Sequence, residues 1–266
     1  MATRRDSRID LRWSWPLATL GIIQAGHAAA HPHRHAARKL GGKSLLERVV
    51  RQVTDCEQLD HVIVLCGDSS RDAALAELVP PDVPVFSSKG ASAASRLADA
   101  VDEFQPDAVV RVCADTPFID PVLIDRLVIA AAENPSCDYI SYCLRDGRPA
   151  ILSKVGFFAE WYRVGALRMA CRACKKNRRL SQAGDPTRHI VAHPEQFNVR
   201  LLAAPESLDR DDVRLTVDSE EDWENAQVIF EALGPERLDW RAIAQLLEDQ
   251  PEIRGRMATL NRADPT

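Results

Sequence analysis

From about residue 17 onward, short apolar runs alternate with stretches of helical periodicity, a rhythm that predicts βαβ units around a largely parallel sheet. Residues 17–24, 61–66, 83–86 and 107–113 read as the first four strands, in a doubly wound succession. Between them, 44–56 places Leu45, Leu46, Val49, Val50 and Val53 on one helical face, with Ser44 as N-cap and Glu47 completing a capping box. Residues 69–78 and 91–104 read as the next helices, and 121–133 as a helix with proline in its first turn. Beyond it, 138–143 and 150–153 read as shorter strands around a turn at Gly147, and 155–174 as one long amphipathic helix. Residues 175–186 form a polar stretch expected to be a mobile loop. Strands over 196–203 and 213–217, a helix over 219–233 opened by Ser219 with Asp222 three positions on, and a helix over 239–248 complete the pattern. The domain expectation is a polar leader over 1–16, one α/β domain over 17–250 and a tail over 251–266 packed on the surface.

Composition narrows the function classes. A chain of 266 residues with 45% hydrophobic residues can bury one sizeable core. A formal charge of −5 supplies no basic field for a phosphate backbone, which argues against a dedicated nucleic-acid binder. The seven cysteines are odd in number and irregular in spacing, which predicts reduced thiols and a cytoplasmic home. The basic N-terminus lacks a cleavage pattern, and no apolar run approaches the roughly twenty residues that span a bilayer, so no membrane association is expected.

Two aspartates carry the candidate chemistry. In VVRVCADTPFIDP, beginning at Val109, the apolar lead-in reads as a buried strand that Pro117 and Pro121 prevent from continuing, which leaves Asp115 just past its C-terminal end. In LTVDSEEDWE, a strand delivers Asp218 immediately before a helix. Ligands of open α/β sheets bind outside those ends, and two carboxylates facing one crevice can hold Mg²⁺ while leaving octahedral positions for water and phosphate oxygens. The bland alternative makes each aspartate a turn or helix cap. His27, His31, His33 and His35 read better as a polar loop than as a zinc site, because Pro32 prevents one helix from presenting them all. Cys171 and Cys174 form a lone CxxC, a weak signal inside a helical pattern.

The two aspartate stretches, together with IIQA and LGGKSLLERVV near the start, resemble the cytidylyltransferases that make CMP-activated sugars, in particular the branch linked to spore-coat polysaccharide synthesis. The likeness spans roughly residues 20–233, with PEIRGRMATLN weakly similar beyond it. It implies a nucleotide-diphospho-sugar transferase fold, a Rossmann-like, doubly wound mixed sheet in three α/β/α layers. It also implies transfer of CMP from CTP to a sugar acid with release of pyrophosphate, for surface polysaccharide or glycan synthesis. The implied Mg²⁺ ligands are Asp115 and Asp218, the implied nucleotide-binding positions are Gln24, Ala25, His31, His35 and Lys43, and the implied assembly is a homodimer built on 138–197.

The chain departs from that pattern on the nucleotide side. Gly26 and His31 stand where the family carries arginines, Ala28 where it carries glycine and His35 where it carries lysine. Ala114 replaces a glycine before the first aspartate, ASAAS after Gly90 and GRPAILS from Gly147 lack usual acidic residues, and Thr187-Arg188-His189 stands for an Arg-Glu-His helix start. Neutral imidazoles are poor substitutes for permanent cations at a triphosphate. Weak CTP binding and very slow or absent turnover at neutral pH are therefore expected, and the alternative is a non-catalytic sugar- or nucleotide-binding or scaffold protein on the same fold.

Overall fold

A computed structural model of the chain describes residues 18–26, 35–176 and 185–264. Among the described residues nine strands follow one another: β1 Thr19–Gln24, β2 Lys39–Leu40, β3 Lys43–Ser44, β4 His61–Gly67, β5 Val85–Ser88, β6 Ala108–Cys113, β7 Tyr139–Cys143, β8 Glu160–Arg163 and β9 Val199–Ala203. Seven of them form one sheet in the order β5-β4-β1-β6-β8-β7-β9, and β2 and β3 pair as a short antiparallel ribbon. Only β8 runs against its neighbours; every other pairing in the sheet is parallel. The register sets Gln24 opposite both Leu65 and Cys113, so β1 and β6 end level with one another, β4 runs on to Gly67, and a crevice lies beyond their carboxyl ends.

Period-two alternation sends successive strand residues to opposite faces. Ile23, Val64, Val110 and Val112 join a core with helices α1 (Leu45–Thr54), α4 (Pro121–Glu133), α7 (Glu220–Leu233) and α8 (Trp240–Asp249). Leu20, Ile22, Ile63, Leu65 and Val109 join a second core with α3 (Ala93–Phe104) and α5 (Val164–Lys176). The result is the expected three-layer doubly wound architecture. The short helices α2 (Ser70–Ala76) and α6 (Pro186–Ala192) and the last helix α9 (Pro251–Ala263) complete it. Among the described residues, no helix is long and apolar enough to cross a membrane.

Several expectations are corrected. The helix expected over 155–174 is an extended run and the antiparallel strand β8, and α5 begins only at Val164. Phe157, Phe158, Trp161 and Tyr162 are all buried there, which a strand inserted between two others achieves and a one-sided helix does not. Residues 150–152 form a 3₁₀ turn instead of a strand, and a single bridge from Cys143 to Pro149 closes the Gly147 turn. Residues 213–217 run extended but join no sheet. Their backbone bonds go to loops, Leu215 N to Lys154 O at 2.9 Å and Val217 N to Asp115 O at 2.8 Å. The expected surface tail is α9, which buries Ile253 and Met257 in the main core. Ser44 does cap α1 by accepting from Glu47 N, although the reciprocal half of a capping box is not formed. The polar loop expected over 175–186 falls mainly outside the described residues, as do His27, His31 and His33. Cys171 and Cys174 are buried in the second core, and every described cysteine is a free thiol.

Candidate active site

Asp115 sits in the turn that ends β6. Ala114 N donates to Gln24 O at 3.2 Å and ties that turn to the end of β1, while Thr116 Oγ1 donates to Cys113 O at 2.7 Å. The following helix α4 is capped by Asp120, whose carboxylate accepts from Val122 N and Leu123 N, so Asp115 is not spent as a cap. Asp218 is likewise free of that duty. Ser219 is the N-cap of α7, and Asp222 closes the capping box from inside the helix.

Asp222 does more than cap. Its fully buried carboxylate takes Arg214 in a two-pronged ion pair, Nε at 2.7 Å and Nη2 at 3.1 Å, and accepts the backbone N–H groups of Asp218 and Ser219, each at 3.1 Å. It thereby fixes the peptide that carries Asp218. Gly156 allows the same segment to approach: it has φ +79°, and a Cβ placed there would lie 2.7 Å from the Leu215 carbonyl carbon. The Val217–Asp115 backbone bond then brings the two aspartates side by side.

The pair shares its negative charge unevenly. The Lys154 ammonium donates to Asp218 Oδ2 at 2.6 Å, and Thr216 Oγ1 adds a bond to the same oxygen at 3.2 Å. Burial opposes the Asp218 charge, but Lys154 outweighs it and holds this carboxyl below its usual range. Asp115 moves the other way. Burial first, and the neighbouring Asp218 charge second, push its carboxyl up to about 7. The proton of the pair therefore resides on Asp115.

Two chambers meet at this point. One, of about 120 Å³, is lined by Gln24, Ala25, Gly26, His35, Arg111 and Asp115 among others. The second, of about 220 Å³, is lined by Asp115, Ser153, Lys154, Asp185, Arg188 and Thr216 among others. Cys113, Asp115 and Asp185 border both. Of the positions expected at the nucleotide, Gln24, Ala25 and His35 thus reach the first chamber, His31 lies outside the described residues, and Lys43 is exposed on β3 away from either wall.

A buried polar network anchors Asp185, one of the residues that border both chambers. Arg111 on β6 pairs with Glu160 on β8 through its Nε, with Asp185 at 3.2 Å, and with Thr187 Oγ1 at 3.1 Å. Tyr139 OH and Thr187 Oγ1 each donate to Glu160 Oε2 at 2.7 Å. Sequence reasoning missed this set because its members, scattered from Arg111 to Thr187, share no motif. It also missed Lys154, which pattern reading left between a strand expected over 150–153 and a helix expected over 155–174. Arg214, immediately before the second motif, and the pairing role of Asp222 within it were within reach.

The residues fit a small hard cation. Asp115 Oδ1 is buried without a hydrogen-bond partner, and the oxygen next door on Asp218 already holds a cationic group. Among the described residues no cluster of three or more His, Cys, Asp or Glu converges. A two-carboxylate site of this kind suits Mg²⁺, which keeps several waters and takes other ligands from substrate phosphates, better than it suits an all-protein cage.

A doubly wound sheet whose carboxyl ends open onto a divided crevice, with Asp115 bordering both halves and Asp218 beside it, defines an α/β protein with a candidate ligand site at the carboxyl edge of its sheet. A family model described as Cytidylyltransferase matches residues 21–183, and the chain belongs to that family. It is 27% identical over 252 residues to the spore coat polysaccharide biosynthesis protein SpsF of Bacillus subtilis, covering 92% of this chain and 98% of that one. It is 28% identical over 121 residues to the 3-deoxy-manno-octulosonate cytidylyltransferase of Syntrophotalea carbinolica, with 45% of this chain and 48% of that one covered. A cytidylyltransferase structure from Leptospira borgpetersenii superposes with a TM-score of 0.77 at 20% identity, covering 90% of this chain and 97% of that one. The nucleotide-diphospho-sugar transferase fold expected from the resemblance is the fold observed.

Proposed function

We propose that the protein transfers CMP from CTP to a sugar acid, with Mg²⁺ held by Asp115 and Asp218, as a step in making surface polysaccharide or glycan. The observation that carries this reading is the juxtaposition of those two aspartates, Asp115 at the border of both chambers and Asp218 held beside it by the Val217–Asp115 backbone bond, neither of them used as a helix cap. The smaller chamber, with Gln24, Ala25 and His35, takes the nucleotide, and the chamber with Lys154 and Arg188 takes the acidic acceptor, whose charge those cations complement. An acceptor hydroxyl oxygen forms a bond to the α-phosphorus as the bond to pyrophosphate breaks, and the hydroxyl proton is released. The divalent ion supplies charge stabilisation at the phosphate oxygens. Asp222 and Arg214 keep the Asp218 peptide in place, and the Arg111–Glu160–Asp185 network fixes Asp185 at the border of the chambers.

Pyrophosphate release with CTP, Mg²⁺ and a panel of sugar acids tests it. Release is expected to be slow at neutral pH and to stop in Asp115→Asn and Asp218→Asn; release that survives both substitutions rules the site out. A second reading, a nucleotide- or sugar-binding protein without turnover, is favoured by one observation: buried His35 lines the chamber where the resembling enzymes carry a lysine. Binding of CTP without any pyrophosphate release supports that reading.

A further inference from the structure

The relation of Lys154 to the aspartate pair goes beyond this reading, although it rests on the same metal site. The Lys154 backbone is locked: its carbonyl accepts Leu215 N at 2.9 Å and Thr216 N at 3.3 Å, the same segment that carries Asp218. Its side chain is a quarter exposed, and its ammonium sits 2.6 Å from Asp218 Oδ2 and 3.9 Å from Asp264 at the end of α9. It also stands at a boundary. Lys154 and Ser153 line both the 220 Å³ chamber and a neighbouring cavity of about 650 Å³ walled by Arg145, Arg148 and Arg262.

We propose that Lys154 is a resident counter-cation that competes with the divalent ion for Asp218 and must be displaced before the metal can bind. A hydrogen bond of 2.6 Å to Asp218 Oδ2 occupies a lone pair that a metal would use, and two cations cannot share that oxygen without strong repulsion at such range. The four-carbon stem borders two cavities into which the ammonium can swing, while the locked backbone keeps the displaced ammonium near the site. With Asp218 paired to Lys154, the free protein holds a divalent ion weakly. Once a divalent ion sits on both carboxylates, the same Lys154 charge makes the site net positive and ready for phosphate oxygens. The metal is therefore taken up together with the nucleotide's phosphates, and not as a tightly held resident ion.

The test is Mn²⁺ titration of the full chain followed by electron paramagnetic resonance, at pH 8 and without nucleotide, on the parent, Lys154→Met and Lys154→Arg. Urea unfolding of each variant confirms that it is folded. Lys154→Met is expected to bind Mn²⁺ about tenfold more tightly than the parent, the scale of a half-buried ion pair. Lys154→Arg, which keeps a cation beside Asp218, is expected to stay close to the parent. Equal affinity in parent and Lys154→Met, or weaker binding in Lys154→Met, overturns the competition and leaves the metal site itself standing. If neither parent nor Lys154→Met binds Mn²⁺, the metal reading of Asp115 and Asp218 fails along with it.

Discussion

Because the proton of the aspartate pair lies on Asp115, divalent-metal binding should be coupled to its loss. Burial and the Asp218 charge place the Asp115 carboxyl at about 7, with Lys154 opposing them. A metal binds the ionised form, so its apparent affinity scales with the fraction of Asp115 that is ionised. That fraction is roughly 1% at pH 5 and roughly 90% at pH 8, which makes Mn²⁺ binding weaker by on the order of 100-fold at the lower pH. Asp218, held below its usual range by Lys154, stays ionised throughout this window and adds no slope. Calorimetric titration in two buffers of different ionisation heat counts the protons released directly. Close to one proton per ion is expected at pH 6, and little at pH 8. Asp115→Asn should bind weakly at every pH and release none. An affinity that is flat between pH 5 and 8 in the parent would refute the assignment of the proton to Asp115.

Further outcomes follow from the same contacts. Between pH 5 and 8 the parent should lose stability in urea unfolding, because a carboxyl raised in the folded state stabilises fully only below its unfolded pKa and loses that contribution as pH rises through about 7. Asp115→Asn should remove that loss. Asp218→Asn should leave stability within about 1 kcal/mol of the parent, because Ser219 and Asp222 do the capping, yet weaken Mn²⁺ binding at least tenfold. Asp222→Ala should cost about 3 kcal/mol in the same assay, since it leaves buried Arg214 only its longer contacts with exposed Asp264 and frees two backbone N–H groups. His31→Arg combined with His35→Lys should raise CTP affinity partially, read by calorimetry, because both positions regain a permanent charge while Ala28 and Ala114 remain.

The sheet was legible because its strands are short apolar runs bounded by glycine, proline and polar turns, and burial on both faces leaves near-continuous apolar runs in β1, β4 and β6. Helix α4 matched its expected span from Pro121 to Glu133, where proline and the Asp120 cap mark the start. The second half was harder. In β8 the run FFAEWY satisfies both a buried strand and a buried helix face, and only its insertion between β6 and β7 decides the matter. Residues 213–217 look like a strand because they are apolar and extended, yet their partners are two loops distant in sequence, which no local pattern encodes. The two aspartates were legible from their place after apolar runs. The Lys154 pairing and the Arg111 network were not, because each joins elements that tertiary packing alone brings together.

The central claim is that the divided crevice takes a cytidine triphosphate through a divalent ion on Asp115 and Asp218. A calorimetric panel of CTP, UTP, ATP and GTP, run with Mg²⁺ on the parent and on Asp218→Asn, tests it most directly. The account predicts weak but measurable binding with CTP preferred, and loss of that binding in Asp218→Asn. A preference for a purine triphosphate, or CTP affinity that is indifferent to both Mg²⁺ and Asp218, would contradict it.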